Sequence, residues 1–225
     1  MKQLLAYIGL LLALVGEPLL LWSLRRRGVD TIGVVARLSL WLITAIACLI
    51  LVQEPGWRGY AGVSEPMWRT LGWAALAVVL SFVGASVIRR AQGAAPEAAL
   101  EASEQFGKVA ALSQPRRMLL VVTAGVTEEV LYRAYAIGLG SYLLGSTWLA
   151  AGLSLVAFTL GHFRWGLAHL WPVFWAGAVM SGVFVASRDI LACVLAHVLV
   201  DAVGVFVAPA MLERQKRHAV IQREG

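Results

Sequence analysis

The sequence predicts an all-α fold, a polytopic transmembrane helical bundle of seven to eight spans with its N-terminus outside and its C-terminus in the cytoplasm. Three observations carry this reading. Hydrophobic residues fill 60% of the 225 positions and charged residues only 14%, a balance far from that of a soluble domain. The apolar residues gather into runs close to the ~20 residues that a helix needs to cross hydrocarbon. The basic residues lie in bursts between those runs and favour one side. Arg25, Arg26, Arg27, Arg89, Arg90, Lys108, Arg116, Arg117, Arg164, Arg214, Lys216, Arg217 and Arg223 make thirteen there, against Lys2, Arg58, Arg69 and Arg188 on the other, with Arg37 and Arg133 inside spans. Such an excess marks the cytoplasmic face.

Taken in order, the candidate spans are Leu4–Leu24, Val34–Val52, Leu71–Ile88, Met118–Gly140, Trp148–Phe163, Leu167–Ser187 and Ile190–Ala208. The first has a thin positive start and no small-residue cleavage site before Arg25, so it is expected to be retained as a span rather than removed as a signal peptide. Glu17-Pro18 and Trp171-Pro172 are places where a span can tilt or split, which is why eight spans stay open. Residues 91–117 form the one long loop. Its middle, PEAALEASEQFGKVAAL, carries Leu100, Phe106, Val109 and Leu112 near helical spacing, as either a helix on the membrane surface or a solvated helical linker would. Ser113 then offers a cap and Pro115 suits a first turn, so the fourth span is expected to start there.

Several function classes fall away at this level. Cys48 and Cys193 each sit within an apolar run, which predicts small core residues and no disulfide framework. The net charge of +6 is spread through short interhelical bursts, a pattern that faces anionic lipid and implies no nucleic-acid partner. Trp148, Trp165, Trp171 and Trp175 are expected as interface anchors and core.

The ionisable residues well inside spans are few: Glu17, Arg37, Glu128, Glu129, Arg133, His162, His197 and Asp201, with His169 near a span start. A charge at a helix centre costs roughly 2.5–3.5 kcal/mol on insertion scales, so such groups pair or face a wet cavity and are functional candidates by default. Arg37 is close enough to a span end to snorkel, and Glu17 is expected to serve a freed backbone group beside Pro18. Glu129 and Arg133 are four apart, as are Phe158 and His162, and His197 and Asp201. Each pair shares a helix face, and the acid of the first precedes its base in the better order. At about 1.5 Å per residue, Glu128 lies ~15 Å from the cytoplasmic start of its span. His197 lies at a comparable depth, with Asp201 and His162 shallower. All four are expected to line one cavity open to the cytoplasm.

EEVLYR, FTLGH and HVLVD, in that order on late spans, fit EExxxR, FxxxH and HxxxN/D. Over roughly residues 113–209 the chain therefore resembles the CPBP (Abi) family of intramembrane glutamic endopeptidases, a family that includes the type II CAAX prenyl endopeptidases. The resemblance implies that Glu128 and His162 activate a water and that His197 and Asp201 stabilise the oxyanion. It also leaves Glu129 and Arg133 as an ion pair that positions Glu128, with Phe158 packing beneath. A carboxylate in a partly desolvated cavity is a stronger base than one in water, and one oxyanion donor contributes about 3–4 kcal/mol elsewhere. Asp201 stands where the pattern also allows Asn. An ionised Asp would repel an oxyanion, so Asp201 is either held protonated by apolar surroundings or holds His197 in a donating tautomer.

The chain thus divides into N-terminal transmembrane helices and an amphipathic linker over 1–112, a CPBP-like catalytic core over 113–209 and a basic cytoplasmic tail over 210–225. Two His, two Glu and an Asp are adequate zinc ligands. Yet HExxH is missing from the sequence, so the expectation is no cofactor, with zinc as the alternative. The expected activity is an intramembrane protease, a hydrolase whose partners are the lipid bilayer and a membrane protein or peptide substrate. Its expected place is a bacterial inner (plasma) membrane. Two alternatives stand beside it: a non-catalytic membrane binding or bacteriocin-immunity protein on the same scaffold, and a proton-coupled transporter. The transporter reading lacks an inverted repeat and paired broken helices.

Overall fold

A computed structural model describes residues 2–62, 66–93, 107–163 and 166–207. Among them there is no strand. The order is α1 (Lys2–Arg26), α2 (Val34–Leu51), short α3 (Trp57–Ala61), α4 (Met67–Gln92) and α5 (Gln114–Glu129). Then come a π-helical segment (Val130–Leu139), α6 (Gly140–Leu144), α7 (Thr147–Gly161), α8 (Leu167–Ser187), α9 (Ile190–Ala202) and a second π-helical segment (Val203–Val207). The described residues of the seven sequence-predicted spans fall on helices or at their ends. Five stretches are long and apolar enough to cross a membrane: α1, α2, α4, His169–Ser187 within α8, and Ile190–Val207; α7 is a shorter apolar helix. Pro18 and Pro172 both lie inside continuous helices, α1 and α8.

Local chemistry sets the ends. Gly56 (φ 78°) and Gly62 (φ 67°) bracket α3 in the left-handed region, where L residues other than Gly are disfavoured. Ser146 caps α7 by accepting the Leu149 N–H (3.2 Å), and Asp189 caps α9 by accepting from Ala192 N–H (3.0 Å). Asp189 is in turn held by the Thr70 hydroxyl of α4 (2.5 Å), so the start of α9 is fixed against a neighbour. Ser113 does precede α5, but its side chain makes no capping hydrogen bond; Pro115 sits in the first turn. The Arg117 guanidinium instead ties that end down, donating to the carbonyls of Leu112 (3.0 Å) and Ala110. Most of the 96–112 amphipathic stretch, the 210–225 tail and Trp165 lie outside the described residues.

The continuous run from α5 through α6 is the centre of the molecule. Leu131, Tyr132, Ala134, Tyr135, Ala136 and Leu139 pack with α1, α2, α3 and Phe158 in one apolar cluster, while Ile137 joins a second formed by α4, α8 and α9. Large apolar side chains face outward instead, Trp148 most openly at 79% exposure. A chain with apolar groups outside and Arg133 among its most buried residues has the polarity that lipid demands. Protein, rather than hydrocarbon, surrounds the central charges.

Candidate active site

α5 presents two adjacent carboxylates in two directions. Glu129 is fully buried, and its Oε1 accepts from Arg133 Nη1 (3.0 Å) and sits 2.6 Å from His197 Nδ1. Arg133 also donates from Nη2 to the Gly177 carbonyl of α8 (3.1 Å). Because the ion-paired carboxylate can only accept, the short contact makes His197 Nδ1 a donor and turns Nε2 toward the other carboxylate. Glu128 faces that way: its Oε2 lies 4.0 Å from His197 Nε2 and 3.9 Å from His162 Nε2. That oxygen is buried, with no hydrogen-bond partner among the described residues.

His162 is the C-cap of α7 rather than part of its interior. Its Nδ1–H donates to the Phe158 carbonyl (2.9 Å), using one of the carbonyls that a helix end leaves unpaired. A carbonyl can only accept, so Nε2 of the neutral ring carries the lone pair that faces Glu128. Asp201 Oδ2 is 3.6 Å from His197 Nε2, beyond a good hydrogen bond. The orienting partner of His197 is therefore Glu129, and not Asp201 as the i,i+4 spacing led us to expect.

Close helix approaches make this convergence possible. A Cβ on Gly125 would stand 2.5 Å from Val198 Cγ2 and 3.2 Å from its nitrogen, so the bare glycine lets α9 bring His197 against α5. A Cβ on Gly177 would stand 2.8 Å from Phe158 Cδ1. Phe158 is the shared platform. Its ring lies 4.8 Å from His162, 6.2 Å from His197 and, edge-on, 5.4 Å from Tyr132, with the Arg133 guanidinium 4.7 Å from its centroid. Such edge contacts and a cation over the ring face each contribute about 0.5–1.5 kcal/mol.

A cavity of about 500 Å³ opens in front of these groups and is lined by Glu17, Glu128, His162, His169, His197 and Asp201, with apolar walls from α4, α8 and α9. Side-chain exposure rises from Glu128 (6%) and His197 (9%) through His162 (22%) to Asp201 (36%). The wall also includes Leu21, Arg37, Arg89 and Val207, which lie toward the helix ends on the side where the basic residues collect. Arg37 is buried, and its Nη2 reaches back past the start of α2 to donate to the Thr31 carbonyl (2.7 Å) in the preceding loop. Glu17 Oε2 accepts from the Tyr132 hydroxyl (3.4 Å) of another helix, a contact that the sequence did not point to. Tyr132 follows Glu128 by four residues, the one signal by which the sequence offered it. Among the described residues no group of three or more His, Cys, Asp or Glu is arranged to hold a metal ion.

Neither the curated proteins nor the solved structures contain a match to the chain. A protein-family model does match, and all seven residues of the three motifs fall within it, whereas Glu17 does not. Rce1-like proteins are a protease family, and with several apolar helices the match points to an integral membrane protein. Over residues 113–203, less than half of the chain, this sequence matches the Rce1-like family, described as type II CAAX prenyl endopeptidase Rce1-like, which is consistent with the CPBP family.

Proposed function

We propose that this protein is a glutamic-type intramembrane endopeptidase in which Glu128 and His162 activate a water against a peptide carbonyl. The observation that carries the proposal is the buried Glu128 oxygen without a hydrogen-bond partner among the described residues, 3.9 and 4.0 Å from two imidazole nitrogens beside a cavity. One water bridges a gap of that size. It donates one hydrogen to Glu128 Oε2 and the other to His162 Nε2, which leaves an oxygen lone pair directed at the substrate.

Attack forms the C–O bond as Glu128 takes the water proton. The carbonyl oxygen becomes an oxyanion, and His197, its Nδ1–H held by Glu129, is the donor through Nε2–H when the ring is doubly protonated. Asp201 acts by its charge, compensating that of the ring, and not as a donor of its own. Glu128 then returns the proton to the amide nitrogen, the C–N bond breaks, and a carboxylic acid and an amine leave. No cofactor takes part. The substrate is a membrane-associated or C-terminal peptide segment, reached from the cytoplasmic side of a bundle of seven to eight spans in a bacterial inner membrane. Its N-terminus is outside.

The test compares the membrane proteome of a host carrying Glu128→Gln with its parent. One precursor should accumulate, and the purified parent, but neither Glu128→Gln nor His162→Ala, should cleave it. Retained turnover in either variant sinks the mechanism. A host phenotype that survives loss of Glu128 favours the binding or immunity alternative.

A further inference from the structure

Glu17 is a buried carboxylate on α1, a helix outside the matched segment, yet it lines the same cavity as Glu128. A second acid facing Glu128 in poorly solvated surroundings repels it and so costs stability. A fold that sought only to tie α1 to its neighbours would have no reason to bring the two together. The contacts around Glu17 lead to the reacting groups. Its Oε2 accepts the Tyr132 hydroxyl (3.4 Å), and that phenol is fully enclosed and edge-on to Phe158 (87° between planes). Phe158 in turn carries both His162 and His197 against its ring. The Tyr132 main chain is fixed as well, since its carbonyl accepts from the Ser154 hydroxyl of α7 (2.7 Å). Where the chain turns into His162, a Cβ on Gly161 would lie 3.6 Å from both Pro18 Cγ and Tyr132 Oη. Glu17, Tyr132 and the root of His162 therefore meet at one point.

We propose that Glu17 is a positioning residue of the active site, which holds the Tyr132 hydroxyl and through the Tyr132–Phe158 stack sets the two imidazoles against Glu128. The phenol has one proton to give. Given to Glu17, it leaves Glu128 without a competing donor and keeps the aromatic platform in one orientation.

The kinetic arm of the test rests on the endopeptidase reading; the spectroscopic arm does not. Glu17→Gln, Glu17→Asp and Tyr132→Phe would be assayed on the precursor that accumulates with Glu128→Gln. In parallel, the ¹⁵N imidazole resonances of His162 and His197 would be recorded for each in lipid nanodiscs. Glu17→Gln should lower kcat at least tenfold with KM within twofold, and should move both imidazole resonances; Glu17→Asp should recover part of each. Tyr132→Phe should lower kcat less, and the double variant should be no slower than Glu17→Gln alone. Parent-like kcat and unmoved resonances in Glu17→Gln overturn the assignment, as do two losses that simply multiply. Turnover that survives in Glu128→Gln would instead remove the endopeptidase reading, and the imidazole resonances would then decide the role of Glu17 by themselves.

Discussion

The two faces of α5 treat neighbouring carboxylates in opposite ways. Behind the helix, Glu129 is wrapped by Arg133, His197 and α8: its Oε1 takes both partners and Arg133 reaches the Gly177 carbonyl, while Glu129 Oε2 and Arg133 Nε, turned into packed protein, have no hydrogen-bond partner among the described residues. In front, Glu128 faces a cavity with its Oε2 unpartnered among the described residues. One residue of register separates the two environments. Buried charges without compensation are costly, so the rear face reads as the part that holds the helices and the front as the part held ready. What sets Glu128 apart is that its unpartnered oxygen belongs to a residue lining a cavity that a water or a substrate can enter, which Glu129 does not line.

Substitutions can break or sharpen that contrast. Arg133→Leu removes the ion-pair partner of buried Glu129 and leaves it the His197 contact, and should lower unfolding free energy by about 3 kcal/mol or more. Glu128→Gln should stay within about 1 kcal/mol of the parent, because the oxygen it alters gives up no hydrogen bond. Denaturation in mixed micelles measures both, and equal losses would erase the distinction between the faces. Gly125→Leu drives a side chain into Val198 and should cost about 1–3 kcal/mol. By moving His197 about 1 Å off Glu129 it should also slow cleavage on the order of 10²-fold, which turnover of the accumulated precursor reports. Phe158→Leu removes the ring on which both histidines rest and should cost about 1–2 kcal/mol, the sum of a few edge contacts. Asp201→Asn should change turnover by less than about tenfold, since a partly exposed charge contact is worth about 0–1 kcal/mol. A larger loss would make Asp201 a direct partner of the oxyanion. The smallest effect expected is from a chelator, which should leave turnover unchanged.

The sequence made part of this arrangement legible and hid the rest for a physical reason. Run length located helices, of which five stretches among the described residues are long and apolar enough to cross a membrane, and i,i+4 spacing found the Glu129–Arg133 pair, because both depend on one helix alone. Spacing within a helix does not say how that helix is rotated against its neighbours. The Glu129–His197 contact joins residues 68 apart in the chain and the Glu17–Tyr132 contact residues 115 apart, so both were missed. Ser113 precedes α5 without a capping hydrogen bond, and what ties that corner down is instead Arg117 donating to the carbonyls of Leu112 and Ala110, a contact of a long side chain that spacing does not reveal. Gly125 and Gly177 look like neutral small residues in an apolar run until the neighbouring backbone is seen.

The π-helical turns after Glu129 have a genetic consequence. Their wider winding accommodates surplus residues relative to α geometry, so Val130–Leu139 acts as a phase adjuster between the acids and the far end of the helix. Inserting one further residue there, beyond what the winding absorbs, would turn everything downstream by about 100°. The Tyr135 hydroxyl would lose its seat on the Ala6 carbonyl (3.1 Å), and Gly138 its close approach to Tyr60. Point substitutions in this stretch should thus be tolerated far better than changes of its length, and libraries that vary loop lengths should stop short of it.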